Sequence, residues 1–310
     1  MRLRDYIKMK AAFLASAGIE DAEDEAACCI MAVTGLRRSN LHVSASDAVS
    51  DVFSSDVIAR LDEVFERRAS HEPLAYIVGS APFYDLDFDV GEGVLIPRFD
   101  TETLVEAALH SLGVPLDFPP RIHIPMVTPA SDPVRIFDLC TGSGCIGITI
   151  ADMLKRYDIP CHLVMTEISP EAAAYALKNA KRILGSETNK DASWSLEVVD
   201  LWPQKDAEKA DIIVSNPPYI AQEEMATLAE EVALHEPSLA LTDGGDGLSL
   251  YRRIVKELPE HLAPGGVLMV EHGYKQKDEV TAIFNSRLEN VEGISDYGEN
   301  DRVTFGTLPK

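Results

Sequence analysis

The densest chemical information in the chain is Asn216-Pro217-Pro218-Tyr219, directly after the apolar run Asp211–Ser215. Two successive prolines fix φ, so the turn leaving that run is stiff. A stiff turn can hold the Asn216 side-chain oxygen and the Pro217 carbonyl as two acceptors converging on one NH2 group. The Tyr219 ring can then stack on the flat group that carries it. An amide or aromatic amine nitrogen attacks poorly because its lone pair is delocalised. Acceptors gripping both hydrogens orient that nitrogen and favour pyramidalisation, and in-line positioning contributes a large part of the barrier lowering. No general base is required before attack. The same four residues also suit a plain strand-exit turn, since Asn-Pro and Pro-Pro open turns. Their place at a strand's carboxyl edge, where open sheets bind ligands, favours the chemical reading.

A second constellation lies upstream: Asp138-Leu-Cys-Thr-Gly142-Ser-Gly144-Cys-Ile-Gly147 after one apolar run and before a helical pattern. Glycines serve where the backbone turns sharply from strand to helix and where a ligand lies on bare main chain. Helix N-terminal amides then face that ligand. Glu167 follows about 20 residues on, at the end of the next apolar run, where an acid can take both ribose hydroxyls. Together these point to a nucleoside-containing cofactor and fit NAD as well as S-adenosylmethionine. Asp138 tilts the choice toward S-adenosylmethionine. A carboxylate there can orient the donor's amino-acid end, directly or through water, and would sit badly beside a pyrophosphate. Its alternative role is to staple the loop. Asp200-Leu201 offers an acceptor for an adenine amine and an apolar face for its ring, or simply a turn.

These residues need a frame. From Val134 onward, apolar runs at Val134–Leu139, Leu163–Thr166, Leu196–Val199, Asp211–Ser215 and Val267–Glu271 alternate with helical patterns at about 146–156, 170–184, 222–232, 247–261 and 276–286. Such alternation implies an α/β fold, a parallel sheet with helices on both faces. Arg302–Thr307 reads as a last strand. Upstream, residues 2 to about 70 read as helical, with Asp21 or a neighbour capping a second helix and Gly35 stopping it. Residues 76–97 switch to near-alternation and read as a β-hairpin turning near Gly91-Glu92-Gly93. A helix from about Thr101 to His110 follows. The proline-rich stretch 112–133, with Pro115, Pro119, Pro120, Pro125, Pro129 and Pro133, reads as an irregular surface connector.

Bulk properties narrow the partners. The 310 residues carry 51 acids against 28 bases, a net charge of -23, which argues against broad nucleic-acid binding. Cys28, Cys29, Cys140, Cys145 and Cys161 are odd in number and form no CxxC pair, so neither a disulfide framework nor a metal site is expected. Met1–Lys10 has no apolar core of a leader, and no apolar run approaches membrane-span length. A cytoplasmic address follows, with no membrane partner.

With these pieces in place, the chain resembles the HemK-type glutamine methyltransferases, which methylate the Gly-Gly-Gln motif of peptide chain release factors. The resemblance runs over most of the chain. It includes Glu72-Pro-Leu-Ala-Tyr76-Ile-Val-Gly79, Val94-Leu-Ile-Pro97-Arg98-Phe-Asp-Thr101-Glu102, the glycine loop and Asn216-Pro217-Pro218-Tyr219. It continues through His235-Glu236-Pro237, Asp246-Gly247, Tyr251-Arg252-Arg253-Ile254, Glu271-His272-Gly273 and Asp296-Tyr297-Gly298-Glu299-Asn300-Asp301-Arg302. It implies a class I (Rossmann-like) methyltransferase fold with a seven-stranded sheet whose last strand is antiparallel. It implies an N-terminal helical substrate-docking domain over 1–72, a β-hairpin linker over 73–100 and a catalytic domain over 101–310. It implies S-adenosylmethionine as donor, held by Asp138, Cys140, Thr141, Gly142, Ser143, Gly144, Glu167, Asp200, Leu201 and Asn216. It implies that Asn216, Pro217, Pro218 and Tyr219 hold the acceptor glutamine, and that release factors are the protein partner.

The chain departs from the family at three of these positions. Cys140 stands where the family usually has glycine, tolerable with a negative φ. Glu167 stands for the usual aspartate, and Leu201 for an aromatic of some members. The Cys-Thr-Gly-Ser-Gly-Cys spelling and His235-Glu236-Pro237 also resemble sister enzymes acting on a ribosomal-protein glutamine, whereas Thr101-Glu102 and the Asp296–Arg302 tail resemble the release-factor branch. A nucleic-acid adenine amine is a third acceptor of suitable chemistry. Arg98 is expected to be structural, His272 to be packed, and Arg252-Arg253 to sit on a solvated helix face.

Overall fold

Strands covered on both faces should read as near-continuous apolar runs, and those in this chain do. The computed structural model describes residues 1–116, 124–130, 132–204 and 208–310. Pro119, Pro120 and the rest of 117–123 in the expected connector lie outside the described residues.

The chain divides into two units, Met1–Ser80 with Ala229–His235, and Ala81–Leu228 with Glu236–Lys310. Helices run in order as α1 (Leu3–Ser16), α2 (Ala22–Thr34), α3 (Arg38–Val43), α4 (Val49–Val52), α5 (Ser55–Ala69) and α6 (Leu74–Val78). Then come α7 (Glu102–Ser111), α8 (Cys145–Arg156), α9 (Pro170–Ile183), α10 (Glu230–His235), α11 (Ser238–Leu241), α12 (Ser249–His261) and α13 (Lys277–Phe284). Strands are β1 (Ser80–Phe83), β2 (Leu86–Asp89), β3 (Val134–Leu139), β4 (Cys161–Glu167), β5 (Ala192–Val198), β6 (Ala210–Ser215), β7 (Leu262–Glu271), β8 (Glu289–Ser295) and β9 (Asp301–Thr307).

In the helical unit, Leu3, Leu14, Ile30, Leu61 and Phe65 close one core. Gly35 ends α2 at φ +69, as a left-handed stop requires. Asp21 precedes α2, yet its side chain makes no capping bond. Because α6 packs on α2 and α5, this unit extends past the expected boundary at residue 72, to Ser80. It also recruits the distant segment 229–235. Arg68 is buried and explains the recruitment: its guanidinium meets Glu25 at 2.9 Å and Glu231 at 3.0 Å.

In the second unit, seven strands form one sheet in the order β5-β4-β3-β6-β7-β9-β8. The first five strands in sequence are parallel and β9 is antiparallel to both its neighbours. Period-two alternation divides each strand between two cores. Ile136, Leu163, Ile212 and Val214 face one side with α8 residues Ile146 and Ile150. Phe137, Val164, Ile213 and Leu268 face the other with Tyr251, Ile254 and Phe284. The order reverses between β3 and β6, and this places the carboxyl ends of β3, β4 and β6 around one crevice.

Two local expectations are corrected. The hairpin turns at Tyr84-Asp85, between β1 and β2, not at Gly91-Glu92-Gly93. The glycines there serve close packing: a Cβ on Gly91 would sit 2.2 Å from the Tyr175 hydroxyl, and one on Gly93 3.1 Å from Glu171 Cβ. The helix expected at 222–232 is a 3-10 turn at Met225–Thr227 followed by α10. Neither buries a residue, so no apolar stripe holds a longer helix.

Replacing Arg68 with alanine should lower stability by about 2 kcal/mol, less than for a fully buried pair because Glu231 is part-exposed. It should also speed amide exchange across 229–235. Unchanged exchange there would show that the ion pairs do not hold the segment.

Candidate active site

The glycine loop leaves β3 and enters α8, and each glycine has its own reason. Gly142, at φ +56, has nothing within 4 Å of a built Cβ and lines an open cavity of about 300 Å³. Gly144, at φ +84, would drive a Cβ to 2.4 Å from Ile148. At Gly147 a Cβ would meet Asp138 and Leu163 at 2.8 Å, so α8 rests closely on the sheet only with glycine there. Asp138 sits behind this loop and does not line the cavity. Its Oδ2 accepts from the Thr141 hydroxyl at 2.5 Å and the Gly147 amide at 3.0 Å. Its buried Oδ1 has no partner among the described residues.

Cys140 lines the cavity at φ +56, so the negative φ that would have made a side chain there tolerable is absent. A side chain in the left-handed region costs roughly 1–2 kcal/mol, which a glycine there would avoid. Burial pushes its thiol up to about 12, with the neighbouring Glu167 adding to the shift, so the sulfur stays neutral. Thr141 and Ser143 complete the wall on this side.

Across the crevice, Glu167 closes β4 and is already engaged. It accepts from the Gly142 amide at 2.8 Å and the Ser169 amide at 2.9 Å. Each carboxylate oxygen keeps a second lone pair. Ile168, Asp200 and Leu201 line the same cavity. Thr166 pins this loop by donating to the Leu201 carbonyl at 2.7 Å. Leu201 itself sits at φ +74.

The corner after β6 forms the cavity's remaining edge. Asn216 and Pro218 line the cavity, whereas Pro217 and Tyr219 stand outside its wall. Pro217 is buried, and Tyr219 is half-buried against the apolar cluster that also touches Cys140. Ser215 ties the corner to the glycine loop by donating to the Leu139 carbonyl at 2.8 Å. Gln276 donates to the Tyr219 carbonyl at 2.8 Å, and Gly247 packs so close that a Cβ would lie 2.1 Å from that oxygen. The Asn216 NH2 turns toward the Thr101 hydroxyl at 3.4 Å. Among the described residues, no donor reaches the Asn216 side-chain oxygen or the Pro217 carbonyl. Two acceptors are thus available at the end of a stiff turn.

Several supporting residues escaped the sequence reading. Arg253 is not on a merely solvated face: it lines the cavity and pairs with Asp200 at 3.0 Å. Arg98, expected to be structural, pairs with Glu236, whose other oxygen accepts from the Ile96 amide at 3.2 Å, and it lines the cavity as well. Asn179 is fully buried in the alanine stripe of α9 and donates to both Asp89 and Ser143 carbonyls. A polar residue in that stripe was the available signal. His272 is packed as expected, with Thr304 at 2.9 Å.

Comparison with known proteins places these features in a lineage. A model of the PrmC N-terminal domain matches residues 5–79, and a model of the methyltransferase small domain matches residues 116–248. The chain is 35% identical to a release factor glutamine methyltransferase of Cereibacter sphaeroides, covering 100% of this chain and 99% of that one. It is 35% identical to one of Geobacter sulfurreducens, covering 99% and 96%, and 33% identical to one of Bacillus subtilis, covering 99% and 98%.

Burial raises the Asp138 carboxyl from 3.8 to about 7, against the hydrogen bonds from Thr141 and Gly147. The folded chain therefore keeps a proton that the unfolded chain releases between these values. Stability from this group is present at acid pH and is lost as pH rises through the folded value. Asp138→Asn, whose oxygen can accept the same two bonds, should match its parent near pH 4 and exceed it at pH 8 in urea denaturation. An equal difference at both pH values would contradict this.

Proposed function

Because the chain belongs to the release factor glutamine methyltransferase family, we propose that it transfers a methyl group from S-adenosylmethionine to the side-chain amide nitrogen of the Gly-Gly-Gln glutamine of peptide chain release factors. The observation that carries the reading is the pair of acceptors that no described donor occupies, Asn216 Oδ1 at the cavity wall and the Pro217 carbonyl in the same stiff corner, with the bare backbone of Gly142 lining the cavity.

The residues present fit the donor. The fit rests on the Gly142 cradle, the Glu167 carboxylate with lone pairs to spare, and the apolar faces of Ile168 and Leu201. S-adenosylmethionine, when bound, supplies a methyl group on a sulfonium centre that leaves as a neutral thioether. Glu167 would take the ribose hydroxyls, Asp200 the adenine amine, and Leu201 the adenine face. Cys140, Thr141, Gly142, Ser143 and Gly144 would wrap the donor's amino-acid end. Asp138, stapled behind them, would hold the loop in shape through Thr141 and Gly147.

The protein's remaining work is positional. Asn216 and Pro217 would accept the two N–H bonds of the glutamine carboxamide, fixing the nitrogen in line with the methyl group. Pro218 would keep the corner rigid and Tyr219 would flank the carboxamide plane. The nitrogen sheds one proton as the new N–C bond forms. The helical unit is assigned to docking the protein substrate, in keeping with the match of residues 5–79 to the PrmC N-terminal domain. The acid excess supports a protein over a nucleic acid as acceptor. Among the described residues no helix is long and apolar enough to cross a membrane, which fits a cytoplasmic substrate.

Incubation with S-adenosylmethionine should add one methyl mass to the Gly-Gly-Gln peptide of release factor, read by mass spectrometry. Asn216→Ala should reduce that rate by about 100-fold or more, a loss of ~2.7 kcal/mol of barrier lowering, with donor affinity retained. Methylation of ribosomal protein or nucleic acid in place of release factor would overturn the acceptor assignment.

A further inference from the structure

On the Asp200 side of the cavity lies an ion pair that the reading above uses only in part. The main chain around Asp200 has little freedom. The Val199 amide before it donates to the Glu167 carbonyl at 2.9 Å, and the Leu201 carbonyl after it accepts from the Thr166 hydroxyl at 2.7 Å. The Trp202 amide closes a three-residue turn on the Asp200 carbonyl at 3.1 Å, with Leu201 at φ +74 between them. What remains free is the rotation of the carboxylate. Arg253 takes that up: its Nη2 donates to Asp200 Oδ2 at 3.0 Å, and both residues line the cavity. Among the described residues no donor reaches Asp200 Oδ1.

The helix aims the arginine. Ser249, Leu250 and Arg253 stand three and four residues apart on α12, and all three line the cavity. Arg252 does not line it and pairs instead with Asp246 at 2.7 Å. The side chains of Arg253 and Asp200 are 42% and 57% exposed, so their pair contributes little to folding. Its consequence lies in what it does to the cavity wall.

We propose that Arg253 is a positioning residue that sets donor specificity: by occupying Asp200 Oδ2 it leaves Oδ1 as the acceptor for the exocyclic amine of adenine. This rests on the assignment of S-adenosylmethionine to the cavity and of Asp200 to its base. A guanidinium only donates, so whichever atom of residue 200 faces it must accept. A carboxylate meets that condition and still turns a second acceptor to the ligand. Adenine presents an NH2 group there, whereas hypoxanthine presents an oxygen that a carboxylate repels. A site built to hydrogen-bond one group rejects the analogue that lacks it, because the site's own polar atoms are left unpaired. Asp200→Asn separates this role from simple packing. The new side chain must turn its oxygen to Arg253, and its NH2 then faces the ligand. That donor opposes the adenine amine and suits the hypoxanthine oxygen.

The test is calorimetric binding of S-adenosylhomocysteine and S-inosylhomocysteine, which differ at that amine, to the full chain. The parent should prefer the adenosyl compound by about tenfold or more. Asp200→Asn should prefer the inosyl compound by about fivefold. In the double variant Asp200→Asn, Arg253→Gln, a glutamine can donate or accept, so the asparagine turns freely and the two compounds should bind within about twofold. An Asp200→Asn variant with the same selectivity whether residue 253 is arginine or glutamine overturns the inference, since a merely structural arginine would leave it unmoved. So does an Asp200→Asn variant that keeps the parent's preference. A parent that binds both compounds alike removes Asp200 from the base and overturns the inference, with the donor assignment intact. A parent that binds neither overturns the donor assignment itself, and the inference falls with it.

Discussion

The arrangement depends on how β6 stops. This strand lies at the centre of the sheet, buried on both faces, and its last residue, Ser215, is tied to Leu139 at the end of β3. Asn216 follows, and then two prolines, which cannot continue a ladder and admit little φ freedom. A rigid corner therefore begins where the strand order reverses. Gln276 and Gly247 hold its far end through the Tyr219 carbonyl. With both ends fixed, the side chain of Asn216 and the carbonyl of Pro217 have little freedom to drift from the glycine loop.

Burial of charge is the second theme, and it runs against the solvent-facing acid excess. Asp138 and Glu271 are both nearly inaccessible carboxyls raised to about 7 chiefly by burial. Neither lines the cavity, and Asp138 braces the glycine loop through Thr141 and Gly147. Retaining two such groups is costly where an apolar residue would pack more easily. For Asp138 the offset is the pair of loop bonds it accepts. Cys140 shows the same tolerance of local cost, since it holds a left-handed backbone without the glycine that would relax it.

Much of this was readable from the sequence, and the limits have physical causes. The β3 run Val134–Leu139 was legible because both its faces are buried, so composition alone marks it. Strand β8 was not, because it lies at the sheet edge with glutamates, asparagine and glycine among largely exposed positions. Gly91-Glu92-Gly93 does turn, with the Val94 amide on the Gly91 carbonyl at 3.3 Å, but it is not the hairpin turn, which sequence glycines alone could not reveal. In the site, the glycine loop and the proline corner were legible because their chemistry is local. Arg253 with Asp200, Gln276 with Tyr219 and Asn216 with Thr101 join residues far apart in sequence. Their roles exist only after the sheet brings strand ends together.

The most direct measurement is a crystal structure with S-adenosylhomocysteine and a Gly-Gly-Gln peptide bound. It should place the glutamine nitrogen about 2.8–3.2 Å from both Asn216 Oδ1 and the Pro217 carbonyl, facing the sulfur across the Gly142 backbone. An Asn216 oxygen turned back toward Thr101, or a peptide glutamine seated away from the proline corner, would contradict the account.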